Sequence, residues 1–294
     1  MTHQKSIIIV NPVSGTHHSR SSLQKIRQWA ESSGALCEIE STRYRGHASE
    51  LAAEALAKGY NHFIVAGGDG TLNEVASVIY TKPGVSLGIV PRGSGNGLAL
   101  HLGIPLKTEK ALETAFASRT IACDVGLLNN KPFFSVAGVG FDAMVAEKFA
   151  RMKGRGLKNY IRAVMKHYPR YKPSEYEIEI NGKTFREKAL MISFANSNQF
   201  GNNTSLSPDA SLTDGLIDLC IMHKPPVPAA LILSPLLFLK KMNRTGYLKI
   251  HRTDKAEIKV ILPAFYHIDG DPFILETSKI SLGIIPQTLN IHVK

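Results

Sequence analysis

Cysteine is scarce in these 294 residues: Cys37, Cys123 and Cys220 stand far apart and are odd in number. That excludes a disulfide framework and a zinc site, and reads as reduced core thiols in a cytosolic protein. No apolar run reaches the roughly 20 residues that a membrane-spanning helix needs. The amino terminus, MTHQKSIIIVNP, passes from a short polar lead straight into a strand-like run. It lacks the longer apolar stretch and small-residue cleavage site of a secretory signal. Internal repeats and low-complexity tracts are missing. The Walker phosphate loop and the dinucleotide fingerprint of three spaced glycines are also absent.

What is present is enough apolar chain, 44%, to bury a sizeable core, and a marked excess of positive charge. Thirty-five Lys and Arg stand against 24 Asp and Glu, a formal net charge of +11. Lys148, Arg151, Lys153, Arg155, Lys158, Arg162, Lys166, Arg170 and Lys172 follow one another with no acidic residue between them. Lys240, Lys241, Arg244, Lys249 and Arg252 form a second group. Such segments suit nucleic acid, an anionic membrane surface or a phosphorylated substrate, and equally a solvated basic face. No base-stacking pattern accompanies them, so nucleic acid is the weakest of these partners.

The first third alternates two periods. Ser6–Val10, Cys37–Ser41, His62–Ala66 and Ser86–Val90 read as strands; Ser19–Ser33, His47–Ala57 and Thr71–Tyr80 read as helices. That alternation predicts a parallel sheet with helices on its faces. After about Ile121 short strands dominate, punctuated by Asn129-Asn130, Asn181-Gly182 and Asp214-Gly215. Only Phe141–Lys166 and the proline-interrupted Val227–Met242 look helical there. The expectation is an α/β domain over residues 1–121 and a β-rich, sandwich-like domain over 122–294. With no long linker at Ser118–Cys123, an active site in the cleft between them is expected.

Three glycine-rich turns close strands of the first domain: VNPVSG (Val10–Gly15), GGDGT (Gly67–Thr71) and VPRGSGNGLA (Val90–Ala99). In a parallel sheet all three fall at the carboxyl ends of strands, where open α/β folds bind ligands. Glycines let backbone amides approach a phosphate, and the helix after Gly70 offers a positive dipole end. Asp69 lies in the middle of this anion site. A bare carboxylate repels phosphate, so it needs a bridging Mg²⁺ or a ribose hydroxyl there, unless it merely caps the helix.

Taken in this order and spacing, NPVSG, GGDGTLNEV and VPRGSGNGLA resemble the diacylglycerol kinase catalytic-domain family of lipid kinases. SVAGVGFDAMV (Ser135–Val145), FANSNQFGNNTSLSPDASLTDGLIDL (Phe194–Leu219) and IDGDP (Ile268–Pro272) extend the resemblance over nearly the whole chain. It implies ATP contacts from Asn11, Pro12, Ser14, Gly15, Thr42, Gly67, Gly68, Asp69, Gly70, Thr71, Asn73, Glu74, Gly93, Ser94 and Asn96. It implies Mg²⁺ at the Asp214 carboxylate, with Ser211 and Leu216 as backbone ligands; read without it, Asp214-Gly215 is a hairpin turn. Asp69 would act through Mg²⁺ and water, and Asp271 would be the base that takes the acceptor proton. The family carries Glu at that position, so Asp271 reaches one methylene less far.

The Ser94 loop, Gly-Ser-Gly-Asn-Gly, looks more like the sphingosine and ceramide kinase variant than the bacterial diacylglycerol kinase one. The acceptor is therefore diacylglycerol or a sphingoid or ceramide-type lipid. An NAD kinase shares the Gly-Gly-Asp-Gly-Thr turn, and a non-catalytic nucleotide- or lipid-binding regulator is the reading from another class. A lipid substrate calls for peripheral contact with an anionic membrane through the basic segments. The apolar stretch Pro225–Met242 could lie at that interface or line a lipid pocket, or else be a buried helix of the second domain. A cytoplasmic, membrane-peripheral location follows, and a homodimer stays open.

Overall fold

The computed structural model describes residues 4–15, 19–152, 156–201 and 203–294. The chain divides into two compact units, residues 1–123 with 287–294, and residues 124–286.

In the first unit, strands β1 (Ser6–Val10), β2 (Cys37–Ser41), β3 (His62–Gly67) and β4 (Ser86–Pro91) form a parallel sheet in the order β2-β1-β3-β4. The run SIIIV of β1 is buried at all five positions and HFIVAG of β3 at all six. Uninterrupted apolar strands of this kind belong in a sheet covered on both faces. Helices α1 (Ser19–Ser33), α2 (His47–Ala57), α3 (Asp69–Ile79), α4 (Gly97–His101) and α5 (Thr108–Ala115) connect them. Helix α2 buries Ala48, Ala52 and Ala55, one face at helical spacing. A Cβ at Gly88 of β4 would lie 2.6 Å from that of Ala115, so α5 packs backbone-close on the sheet. Helix α3 starts at Asp69, two residues before the expected Thr71, which puts the acidic side chain in its first turn.

The last strand of the protein, Lys279–His292, returns to this unit: Asn290 and Ile291 pair in parallel with Ser86 and Leu87 of β4. His292 bonds the carbonyl of Ala117 and the hydroxyl of Ser86. Its ring centroid lies 4.5 Å from that of His62, which bonds Ser6 and the Ala115 carbonyl.

The second unit is strand-rich. Its elements are β5 (Thr120–Leu128), β6 (Lys131–Phe133), β7 (Val136–Gly140), α6 (Phe141–Ala150), α7 (Leu157–His167), β8 (Ser174–Ile180), β9 (Lys183–Ala189), β10 (Met191–Ala195) and β11 (Ile217–Met222). After them come α8 (Val227–Leu233), α9 (Pro235–Phe238), β12 (Leu248–Thr253), β13 (Ala256–Lys259), β14 (Ala264–Ile268), β15 (Asp271–Leu275) and the carboxyl-terminal strand, β16. One antiparallel sheet runs β12-β11-β10-β7-β14-β15; the other carries β16-β13-β8-β9. Their inward side chains, among them Phe133, Tyr176, Ile178, Phe194, Leu219, Ile258 and Ile280, make one core, as in a sandwich.

Hairpins form where the turn chemistry favours them. Asn129-Asn130 and Asn181-Gly182 both have positive φ at each centre and join paired strands two residues apart. Asp214-Gly215 does not: β10 and β11 pair across a long loop, residues 196–216, and this dipeptide lies near the end of it. The helical stretch expected over Phe141–Lys166 is two helices, with Gly156 at φ 110 before the second. Pro235 likewise divides Val227–Met242 into α8 and α9. The reading of that stretch as a buried helix fails, because neither helix buries a residue. Leu233, Leu236 and Leu237 are half-buried against the core, while Leu231, Ile232, Phe238 and Leu239 are exposed, Ile232 at 76%.

Candidate functional site

The three glycine turns of the first unit meet at the carboxyl ends of β1, β3 and β4. The Asn11 amide donates to Ala66 O, and its Nδ2 donates to Thr71 Oγ1 at 2.8 Å, which pins the first loop to β3 and α3. Asn11 Oδ1 accepts from Val13 N, and Ser14 Oγ donates to Asn11 O. The glycines are required by the loops' own approach. A Cβ at Gly15 (φ 86) would lie 2.6 Å from Arg92 O, and one at Gly93 would lie 2.7 Å from Gly68 Cα. Neither contact is possible with a larger residue, so backbone touches backbone across the loops.

Asp69 ties two of these loops together. Its Oδ1 accepts from Gly97 N at 2.8 Å and its Oδ2 from Asn96 N at 2.9 Å. Helix α4 has no side-chain cap of its own at Asn96 (φ 50), so the carboxylate serves its amino end from α3. Asn96 in turn closes its loop on itself: Oδ1 accepts from Gly93 N, and Nδ2 donates to Gly93 O. Glu74 is spent in the same way, accepting from Gly46 N and Ala48 N at the start of α2. Thr42 continues β2, its amide bonded to Val10 O. Asn73 accepts from the Ser77 hydroxyl, and Ser94 is exposed. Asn11, Ser14, Gly15, Gly67, Gly68, Asp69, Thr71, Gly93 and Asn96 are thus joined by direct contacts, whereas Glu74 acts on the neighbouring helix.

In the second unit, Asp214 Oδ1 accepts from Leu216 N, and Ser211 Oγ accepts from Thr213 N. Asp124 meets the same turn, its Oδ2 accepting from Gly215 N at 2.7 Å. Carboxylate and main-chain oxygens are donors suited to a hard cation such as Mg²⁺. Among the described residues no group of three or more His, Cys, Asp or Glu is arranged to hold a metal ion.

The IDGDP stretch separates into two roles. Asp269 (φ 46) and Gly270 (φ 89) are the centre of the β14–β15 hairpin, with Ile268 opposite Asp271. The Asp269 carboxylate accepts from three successive amides, Phe134, Ser135 and Val136, at 2.8–3.0 Å. Asp271 opens β15 and is half-buried. Behind this hairpin lies a buried polar group: Asp142 Oδ2 accepts from Ser193 Oγ at 3.0 Å and is 3.1 Å from His267 Nε2. A Cβ at Gly138 would intrude on both, 2.4 Å from the Asp142 oxygen.

Asp124, Asp142, Asp269 and His267 escape a reading of the sequence alone. Asp269 has a local signal, since Asp-Gly between two apolar runs announces a hairpin. The others have none, because their partners lie far off in the chain.

Comparison with known proteins places these loops in context. A model described as the diacylglycerol kinase catalytic domain matches residues 5–128. One described as the YegS C-terminal NAD kinase beta sandwich-like domain matches residues 135–293. A protein named diacylglycerol kinase from Bacillus subtilis (strain 168) is 33% identical, over 75% of this chain and 74% of its own. A protein named "Probable lipid kinase YegS-like" from Enterobacter sp. (strain 638) is 30% identical, over 99% of this chain and 97% of its own. A crystal structure of a diacylglycerol kinase from Bacillus anthracis str. Sterne superposes with a TM-score of 0.76 at 18% identity, covering 100% of this chain and 98% of that one.

Proposed function

This chain belongs to the diacylglycerol kinase catalytic-domain family of lipid kinases, and from that membership we propose that it transfers the γ-phosphoryl group of ATP to a lipid hydroxyl. The observation that carries the reading is the meeting of three glycine turns at the ends of β1, β3 and β4, two of them tied by Asp69 and the first pinned by Asn11. Phosphoryl transfer asks a protein mainly for positioning and charge neutralisation, and closely packed amides at a helix start suit a polyphosphate. Asn11, Ser14, Gly15, Gly67 to Thr71, Gly93 and Ser94 are the proposed nucleotide contacts, with Thr42 at their border.

Magnesium, when bound, would offset phosphate charge, with Asp214 and the backbone of Ser211 and Leu216 as its proposed holders. Asp271 is the proposed base, taking the proton of the lipid hydroxyl as it attacks. Asp269 would stabilise the hairpin through the three amides it accepts, while the pairing of β14 with β15 keeps Asp271 in register.

The lipid reading also rests on the surface of the second unit. Exposed Ile161 and Met165 of α7 share their helix with Lys158, Arg162 and Lys166, and exposed Ile232, Phe238 and Leu239 precede Lys240 and Lys241. Tyr168 Oη donates to Pro225 O, which links the two segments. An apolar surface fringed by cations suits an anionic bilayer, each basic residue adding about 1 kcal/mol. We place the protein at the cytoplasmic face of a membrane as a peripheral enzyme.

The test is incubation with γ-labelled ATP, Mg²⁺ and mixed micelles holding diacylglycerol, a sphingoid base or ceramide in turn. Label in the lipid fraction supports the reading and names the acceptor. Label in NAD with none in lipid would replace it with an NAD kinase. Nucleotide binding without transfer to any acceptor would leave a regulator.

A further inference from the structure

Arg92 is the first residue beyond β4, and its backbone is held among the glycine turns. Its amide donates to Gly67 O at 2.8 Å, and its carbonyl oxygen stands where a Cβ on Gly15 would have to go. Its side chain is in an unusual state. Nη1 is buried and has no hydrogen-bond partner, and among the described residues no carboxylate pairs with the guanidinium. The two acids of the Gly67–Val75 segment are engaged elsewhere, Asp69 with Asn96 and Gly97, Glu74 with Gly46 and Ala48.

Burial opposes the charged form and pushes the Arg92 pKa down. Yet a guanidinium keeps its proton in proteins, so the charge persists on a half-buried side chain whose buried Nη1 lacks an acceptor. Buried charges are normally paired, and an orphaned buried donor calls for an explanation such as an absent ligand.

We infer that Arg92 is a nucleotide-phosphate ligand: its guanidinium supplies the counter-charge, and the planar donor pair, for the polyphosphate of ATP held by the glycine turns. The assignment rests on the ATP reading above. Of the common anions, phosphate matches the fork of an arginine best, because two N–H groups can reach two of its oxygens at once. The glycine turns supply amides, and among their residues Arg92 alone supplies a side-chain cation. The residue would therefore separate nucleotides by phosphate number, with little influence on binding of the nucleoside.

The experiment compares wild type, Arg92→Lys and Arg92→Gln by calorimetric titration with ATP, inorganic tripolyphosphate and adenosine, and by urea unfolding without ligand. Arg92→Gln is expected to weaken ATP and tripolyphosphate about 10–100-fold, the size of a lost charge-assisted pair. Arg92→Lys should lie between, since it keeps the charge and loses the fork. Adenosine affinity should not change, and the unliganded Gln variant should be at least as stable as wild type, because an uncompensated charge is gone. If both variants bind ATP and tripolyphosphate as wild type does, the assignment is overturned. So is it if affinity for adenosine falls as far as that for ATP, or if unliganded stability falls, since either marks a structural role. Wild-type protein that binds neither ATP nor tripolyphosphate would overturn the ATP reading itself, and this assignment with it.

Discussion

The glycine turns of the first unit and the IDGDP hairpin of the second solve one problem differently. Each needs a loop held still beside a site, and each uses a carboxylate that accepts backbone amides. In the first unit a single residue, Asp69, both bridges the turns and lies among the proposed nucleotide contacts. In the second the proposed duties are divided: Asp269 takes three amides, and Asp271, two residues on, is the proposed base. A substitution at Asp69 therefore mixes architecture with catalysis, whereas substitutions at 269 and 271 can pull them apart.

The largest effect is expected at Asp69. Asp69→Asn should lower turnover beyond about 10⁴-fold, since positioning and electrostatics fail together. The amide also sets an N–H against a backbone N–H, so unfolding stability should fall by about 1.5–3 kcal/mol, the worth of hydrogen bonds to a charged group. A folded variant with near-normal kcat and an unchanged urea midpoint would remove both roles.

Next is Asp271→Asn, expected to reduce kcat by roughly 10²–10⁴-fold, the usual contribution of a general base. The loss should appear in kcat per folded molecule, and Asp271→Glu, which restores the family's side chain, should retain activity. A loss below about tenfold would put the base elsewhere.

Asp269→Ala inverts that pattern. Three amides lose their acceptor, so stability should drop by about 3 kcal/mol even where water partly replaces the carboxylate. Activity should fall only with the folded fraction, as judged by kcat per folded molecule. Equal kcat losses per folded molecule for the 269 and 271 variants would dissolve the division of labour proposed here.

The smallest effect concerns acid sensitivity of the first unit. Burial, and then the charge of neighbouring His292, hold the His62 pKa down at about 4, against an ordinary 6.5. Between those values the unfolded chain binds the proton and the folded one resists it, so stability rises with pH across the window. It is complete above pH 6.5 and is lost as the pH falls towards 4, by about 3 kcal/mol at most. Urea midpoints from pH 7 to 4.5 should show that decline, and His62→Gln should flatten it. A slope that persists unchanged in the variant would assign the acid sensitivity to other groups.

How much of this could be read beforehand differs by region. β1, α1, β2 and α2 are self-contained periodic runs bounded by polar turns, and the structure gives them the limits their pattern implies. The second unit was harder. β12, β14 and β15 are short strands whose apolar residues do not alternate cleanly, and they are strands because neighbours pair with them. The expected single helix over Phe141–Lys166 ends instead at Ala150, and α7 starts after Gly156, which takes a positive φ.

At the candidate site the glycine turns are legible in the sequence, but not which groups pack against them: Gly15, Gly68 and Gly93 meet the backbone of another turn, and Gly95 meets the Asp69 carboxylate. The partners of the Asp69 carboxylate lie 27 and 28 residues along the chain. No local pattern encodes that contact, any more than it encodes the unpaired guanidinium of Arg92.

By itself, then, the sequence determined a parallel α/β half and a strand-rich half, because strand and helix periods and turn residues act over a few positions. It also determined that glycine turns gather at one end of the sheet, since parallel connectivity puts alternate loops on the same side. Only the tertiary structure decided which backbone amides the carboxylates of Asp69, Asp124 and Asp269 hold. It alone decided that Asn290 and Ile291 return to pair with β4, and that one nitrogen of a half-buried arginine, Arg92 Nη1, lies buried among the turns without an acceptor. These depend on distances between groups far apart in the chain, and such distances exist only once the sheets have packed.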